Sequence, residues 1–412
     1  MQSPFPRYRL YTNLRHYTPL LSSLGKGYEA TEPLSLMEKA LCEWTGSQRA
    51  LSMPQARIGI HLALKNILKN KREVILSPYT IADVVNMVIS AGGRPVFADI
   101  DKQTCNVSVK TMEPLIGHNT GALLVTHLHG LACDMPSIVD LAENHDIPVL
   151  EDAAQAFGTE INNQKVGTFG KAGIYSFGLY KNITSFFGGA LVSNDQELMD
   201  TIQPQIRNYP TFERTRLLKK VTMAAITDIS TWPPLFKSIV FWIFQFGHLK
   251  DIRMINRFVE TELDESLHEQ LPPYLLRKMS APQARILIKS LPKVSDNAKQ
   301  RIAVAHQYAE GLDGLSELTL PPLRKDKTHT YTYYPIQYRD RTSLLRHLMA
   351  NCCDITKQHL KNTADIDSFS QYYRDCPVAR QVANETILLP TYPGYPEQNI
   401  QQNIASIRTF FN

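Results

Sequence analysis

Residues 149–193, VLEDAAQAFGTEINNQKVGTFGKAGIYSFGLYKNITSFFGGALVS, decide the fold because three apolar runs in them end beside polar residues. Val149 and Leu150 lead into Glu151 and Asp152, with Gln155 three residues on. AGIYSFG carries Ser176 at the end of its strand-like part and passes into a polar turn that holds Lys181. Gly188 and Gly189 then open a third run, ALV. Short apolar runs that stop at polar residues are the signature of buried strands whose ends face a site.

The same pattern continues outward, from about residue 33 to 195. LSLMEKALCEWTG and ARIGIHLALKNILKN space apolar residues as helices do, and REVILSP, RPVFADI, GALLVTH and IPVLEDA read as buried strands. Strand and helix in alternation predict an α/β lobe, a mostly parallel sheet with helices on both faces. In such sheets ligands gather beyond the carboxyl ends of the strands. That rule picks out Ser77 with Pro78 and Tyr79, Asp99, Thr126 with His127, Glu151 with Asp152, and Ser176. Residues 200–265 lose the alternation and read as an excursion between lobes, basic in RTRLLKK, apolar in LFKSIVFWIFQF and acidic in TELDESLHE. Beyond them, helical patterns such as MSAPQARILIKSL and the strand signal YTYYPIQY predict a smaller α+β lobe. The expected boundaries are 1–265 for the large lobe, with 205–265 as its connecting segment, and 266–412 for the small one.

Composition narrows the function classes. With 412 residues, 43% hydrophobic and 20% charged, the chain can bury a large core, which excludes intrinsic disorder and a small disulfide scaffold. A net charge of +5 is too mild to argue for nucleic acid and suits an anionic small substrate equally well. Six cysteines without a C-x-x-C pair suggest neither zinc nor a redox disulfide, and MQSPFPRYRLYTNLRHY lacks the apolar stretch of a secretory signal, so a reducing cytoplasm is expected. The run 235–246 is broken by Lys237 and is too short to span a bilayer. Residues 232–246 are expected to form a core or partner-facing helix, with peripheral membrane contact as the alternative.

Three features make one chemistry if a phosphorylated, nitrogen-containing cofactor sits at the strand ends. Gln55, Ala56 and Arg57 open a helix, whose free N–H groups and added charge would hold a phosphate. Asp152 could pair with a pyridinium nitrogen and keep the ring able to accept electrons. Lys181, among apolar neighbours, would have a lowered pKa and a free amine able to form an imine with an aldehyde. Taken singly, each has a plainer explanation: an ordinary helix start, a capping aspartate and a surface lysine. His127 and His129, two apart at a strand end, invite a metal site, but no third ligand lies near them in sequence, and a place lining the pocket is the stronger expectation; no metal is expected.

The texts HLALKNI, EVILSPYT, GGRPVFADID, VTHLHGLACDM, IPVLEDAAQAFGTE, VGTFGKAGIYSF, YKNIT and GGALVSND resemble, in order and spacing, the DegT/DnrJ/EryC1/StrS family of pyridoxal-phosphate-dependent sugar aminotransferases. The resemblance implies the aspartate-aminotransferase-like fold and pyridoxal 5′-phosphate as cofactor. It implies that Lys181 holds the cofactor as an imine, Asp152 meets the pyridine nitrogen, Gln155 lies near the phenolic oxygen, Ser176 contacts the phosphate and His127 lines the pocket. It also implies a homodimer with shared active sites, L-glutamate as donor and a nucleotide-linked keto-sugar as acceptor. Retention of Lys181 points to transamination, because a branch of the family with histidine there dehydrates instead. Three departures stand out. The family's Ser-Gly-Thr phosphate motif is Gln55-Ala56-Arg57 here, the aromatic residue that covers the cofactor ring is Ile81, and the segment 273–278 lacks the Asn that the family's second subunit lends to the phosphate. Arg57 is expected to replace the lost contacts electrostatically, and ring packing is expected from Ile81 or Tyr79. The alternatives are the same chemistry on a lipid-linked or other ketone, and a catalytically inactive homologue kept for interaction.

Overall fold

The computed structural model describes residues 3–10, 16–18, 20, 27–256, 264–324 and 326–412. Seven strands form the central sheet: β1 (Arg49–Met53), β2 (Glu73–Leu76), β3 (Arg94–Phe97), β4 (Thr120–Thr126), β5 (Val149–Asp152), β6 (Ala172–Ser176) and β7 (Gly189–Ser193). Their order is β1-β7-β6-β5-β4-β2-β3. The pairs among β3, β2, β4, β5 and β6 are parallel, and β7 runs antiparallel to both β6 and β1. Every residue of β4, β5, β6 and β7 is buried, as expected for strands covered on both faces, which explains why they read as continuous apolar runs rather than alternating ones.

Strand β1, RALSM, was not legible as a strand, since only its burial and its pairing with β7 reveal it. It leads directly into the helix Ala56–Ile67, which packs on β1, β6 and β7 and carries its apolar residues Ile58, Ile60, Leu62 and Leu64 inward. Helix Glu32–Thr45 lies along Ala281–Ser290, whose start is fixed by a capping box between Ser280 and Gln283.

A second, three-stranded antiparallel sheet holds Tyr334–Gln337, Thr386–Leu389 and Thr356–Lys357 in that order. Helices Val294–Leu312, Arg341–Ala350 and Glu397–Phe411 pack beside it, around a core that includes Tyr308, Tyr334, Leu348, Leu389 and Ile407. The core of the central sheet also takes in Ala284, Leu287 and Val294, and Leu360, Phe369 and Val382. A two-residue strand, Lys361–Asn362, pairs with Tyr79–Thr80 and so stitches a late stretch of chain to the rim of the central sheet.

The excursion at 205–265 is mostly helical over its described residues up to Asn256, with a non-helical stretch at 209–213 where Thr211 bridges to Lys278. Helix Arg214–Ser230 is followed at Pro233–Leu235 by a short turn, at Phe236–Val240 by a wide π-helical turn, and then by helix Phe241–Leu249. Phe236 and Phe241 are buried against Met349 of the second lobe. Among the described residues no helix is long and apolar enough to cross a membrane.

Candidate active site

The carboxyl ends of β5 and β6, the start of helix Ala56–Ile67 and the stretch 356–362 of the second lobe enclose one cleft of about 1210 Å³. Asp152, Gln155, Ser176, Lys181, Ala56, Arg57 and Ile81 all line it. Alternation along β5 explains why only one of its two acids faces this space. Glu151 turns the other way and accepts main-chain N–H bonds from Gly167, Phe169 and Gly170 at 2.6–2.8 Å, which pins that loop beneath the sheet.

Asp152 is 5% exposed and its Oδ1 accepts from the Ala154 N–H at 3.0 Å. Burial raises its pKa, and the Ala154 bond and the charge of Lys181 oppose that rise. Lys181, half-buried in the turn after β6, has its ammonium pKa lowered by desolvation; Asp152 opposes the shift and Arg57 adds to it. A lysine biased toward the free amine and a buried carboxylate short of a cation therefore share one cleft.

Arg57 sits in the first turn of its helix, half-buried and ion-paired with Asp83. The helix begins where β7 crosses it: a Cβ on Gly189 would lie 2.5 Å from the Ala56 nitrogen, so glycine is required for the approach. The Gln155 side-chain oxygen accepts from the His129 N–H at 3.1 Å, which leaves the amide N–H groups as the donors it can offer a phenolic oxygen. Ile81 faces the cleft, while Tyr79 is fully buried with its ring 6.1 Å from that of His129.

Several expected positions fall elsewhere. His127 is completely buried and does not line the cleft; its Nδ1 accepts from the Cys133 N–H at 3.1 Å, so its proton sits on Nε2, 3.4 Å from Glu151. His129 does not share its face, because β4 ends at Thr126 and His129 takes a left-handed φ of 57° that turns its ring toward Gln358. Among the described residues no group of three His, Cys, Asp or Glu side chains is assembled for a metal. Asp99 accepts from the main-chain N–H groups of Val378 and Ala379 at 3.0 and 2.8 Å and so anchors the start of helix Pro377–Glu385. Arg277, from the segment that in the family reaches the phosphate of a second subunit, bonds Glu213 of its own chain at 3.0 Å and the carbonyls of Pro273 and Leu276.

The structure adds Lys220, Arg7 and Tyr8, which the sequence did not single out, and brings in His359, which the family resemblance matched only loosely as lining the substrate side. Lys220, on helix Arg214–Ser230, lines the cleft, and the nearby charge of Arg57 lowers its pKa further after desolvation has done so. His359 also lines it, with its pKa lowered to about 4 by burial and by Lys181. Arg7 and Tyr8 reach the cleft from the amino terminus. Lys220, Arg7 and Tyr8 have no local sequence signal, since each arrives from a distant element.

These residues fit pyridoxal phosphate: an amine and a carboxylate in mutual electrostatic reach, and a helix start with Arg57 and Ser176 on the same cleft for the anion.

The profile of the DegT/DnrJ/EryC1/StrS aminotransferase family matches residues 25–222 and 259–408. SpsC of Bacillus subtilis, a spore coat polysaccharide biosynthesis protein, is 26% identical over 405 residues, 94% of this chain and 92% of its own. GDP-perosamine synthase of Vibrio cholerae is 35% identical over 164 residues, 40% of this chain and 45% of its own. In fold, PseC of Helicobacter pylori, an aminotransferase involved in the biosynthesis of pseudoaminic acid, superposes with a TM-score of 0.76 at 22% identity over 99% of both chains. The sugar aminotransferase CalS13 of Micromonospora echinospora superposes with a TM-score of 0.75 at 20% identity over 98% of this chain and 99% of its own. With Lys181 and Asp152 facing one cleft and most of its length matched, this chain belongs to the DegT/DnrJ/EryC1/StrS family and is a pyridoxal-phosphate-dependent aminotransferase.

Proposed function

We propose that the enzyme moves an amino group from L-glutamate to a nucleotide-linked keto-sugar, as a cytoplasmic homodimer, in the formation of an amino-deoxy-sugar for a polysaccharide. The observation that carries the reading is the convergence of Lys181, Asp152 and the Ala56–Arg57 helix start on one cleft. The names of SpsC and GDP-perosamine synthase support a sugar and a nucleotide-linked acceptor. In this reading residues 1–265 carry the cofactor and residues 266–412 cover it from the second lobe, through Gln358 and His359.

Pyridoxal phosphate, when bound, supplies the electron sink for the charge that develops at the donor's α-carbon. The chain's part is to bind, orient and move protons. Arg57, Ser176 and the free N–H groups at the helix start hold the phosphate. The Asp152 carboxylate keeps a proton on the ring nitrogen, and the resulting ion pair relieves the burial that raises its own pKa. Gln155 donates to the phenolic oxygen. Lys181, with its lowered pKa, would take the proton from the donor's α-carbon and deliver it to the cofactor's C4′ carbon, across the imine nitrogen.

The test is the visible spectrum of the purified protein with pyridoxal phosphate, before and after L-glutamate, beside the Lys181→Ala variant. A yellow band that glutamate bleaches, and that the variant does not form, is expected. A band indifferent to glutamate would remove glutamate as donor, and no band would remove the cofactor roles given to these residues. One observation favours a second acceptor class, a lipid-linked ketone: Met223, in the cleft wall, begins a series of exposed apolar residues that continues through Ile226, Ile229 and Trp232. Amino transfer to the nucleotide-linked ketone alone would exclude it.

A further inference from the structure

The family profile leaves residues 223–258 unmatched, and among the described residues that stretch holds the largest concentration of exposed apolar side chains. Ile239, Trp242, Ile243 and Phe246 are each 46–55% exposed. They stand at i, i+3, i+4 and i+7, the spacing of one helix face, yet this face points to solvent. The opposite face is already occupied, because Phe236 and Phe241 are buried against Met349 and Gln245 bonds the Met349 carbonyl at 2.7 Å. Arg346 further ties the helix end through Leu249 and Asp251. The apolar stripe is thus held outward by a fixed mounting on the second lobe. Trp232, Ile226 and Ile229 extend it along the preceding helix.

We propose that residues 214–254 dock the enzyme on a lipid bilayer bearing anionic headgroups. Charge selects this occupant. The segment holds seven Lys and Arg residues against two Asp, a surplus of +5 that equals the surplus of the whole chain. Both acids are engaged within the protein, Asp228 by the Tyr17 hydroxyl at 2.7 Å and Asp251 by Arg346 at 3.2 Å. Lys237, Lys250 and Arg253, in no ion pair among the described residues, flank the apolar stripe, the arrangement that an anionic interface attracts. A two-fold contact between copies would set this basic patch against itself, which like-charge repulsion disfavours.

The polar atoms of the face suit burial at an interface. The Trp242 indole N–H is satisfied by the Lys237 carbonyl at 2.9 Å, and the Ser238 hydroxyl by that of Pro234 at 2.6 Å. Neither leaves an unpaired donor when water is withdrawn. Since Lys220 and Met223 of the same segment line the cleft, docking would place the mouth of the active site near the headgroup layer.

Flotation of the full-length holoenzyme with vesicles tests this directly. The protein is expected to float with equimolar phosphatidylglycerol and phosphatidylcholine, to stay behind with phosphatidylcholine alone, and to be released as salt is raised. The triple variant Ile239→Glu, Ile243→Glu, Phe246→Glu alters only exposed positions and should lose bound fraction at least about tenfold. Flotation with neither composition, or equally with both, would overturn the proposal. So would a fall in the oligomeric state of the triple variant in lipid-free buffer, measured by light scattering, because the face would then cover a second copy.

Discussion

Arg57 is the residue at which the chain departs furthest from the family's phosphate motif, and its surroundings define what it can do. It stands in the first turn of the helix that would meet the phosphate, and its charge is felt by both Lys181 and Lys220. Its pairing with Asp83 fixes the guanidinium without neutralising the site, because a helix start and Lys220 add positive potential on the same side. Arg277, by contrast, is spent on Glu213 and on the carbonyls of Pro273 and Leu276. Arg57→Ala is therefore expected to weaken pyridoxal phosphate binding about tenfold, as loss of one partly solvated charged hydrogen bond does. Arg277→Ala should leave it within about twofold, a difference too small to mark a direct contact. Cofactor titration followed by absorbance measures both, and equal losses would remove Arg57 from the phosphate site.

At the scale of elements, the site depends on how closely β7 passes the start of helix Ala56–Ile67. Gly189→Ala would force its Cβ against main-chain atoms of Ala56 and against the Tyr175 carbonyl, at 2.5–2.8 Å, where no flexible side chain can yield. The helix start must shift, so the variant should lose about 2 kcal/mol or more of stability in urea and bind cofactor poorly. Near-normal behaviour in both assays would show that the crossing has room. In the sequence Gly188-Gly189 marked only the opening of an apolar run and not this close approach, whereas the central strands were legible because burial on both faces makes them uniformly apolar. Strand β1 was not, since Arg49-Ala50-Leu51-Ser52-Met53 has no β-branched residue and owes its conformation to pairing with β7. The same limit hid Lys220 and left His359 only a loose match. A basic residue in a helix and a histidine in a loop become site residues only when tertiary packing brings them to Lys181, and no local pattern records that. His127 shows the reverse error: its place beside a strand end was legible, but its side chain points beneath the sheet to Glu151.

Across the whole molecule, titration and chain closure set stability. Burial lowers the pKa of His61 to about 4, and that of His129 to about 3, from an ordinary value near 6.5. At these two sites the unfolded chain binds more protons than the folded one as pH falls below 6.5, so the stability they govern is full above that value and is lost progressively toward pH 4. His61, whose Nδ1 meets the Ser90 hydroxyl at 2.9 Å, would contribute up to about 3 kcal/mol of that loss. The variant His61→Gln should show a smaller drop in Tm between pH 7.5 and pH 5 than the parent protein; an equal drop would assign the acid sensitivity elsewhere. Closure is set by the amino-terminal segment. Arg7 grips Asp354 of the second lobe through its Nε and its main-chain N–H, each at 2.8 Å. The Pro6 carbonyl accepts from Tyr392, and Tyr8 packs edge-on against Tyr180, the neighbour of Lys181, with ring centres 5.0 Å apart. This strap joins the second lobe to the catalytic turn, and its one ion pair is almost fully buried, Asp354 being 4% exposed. Removing the acid alone strands the guanidinium without a counter-charge, so Asp354→Ala should cost about 3–5 kcal/mol in urea unfolding. The double variant Arg7→Met, Asp354→Leu removes both desolvation penalties and should recover most of that loss. Because the strap would still lack its electrostatic lock, cofactor binding should recover less than stability does. If the double variant were no more stable than Asp354→Ala, the cost would lie in packing around Asp354 and not in a stranded charge.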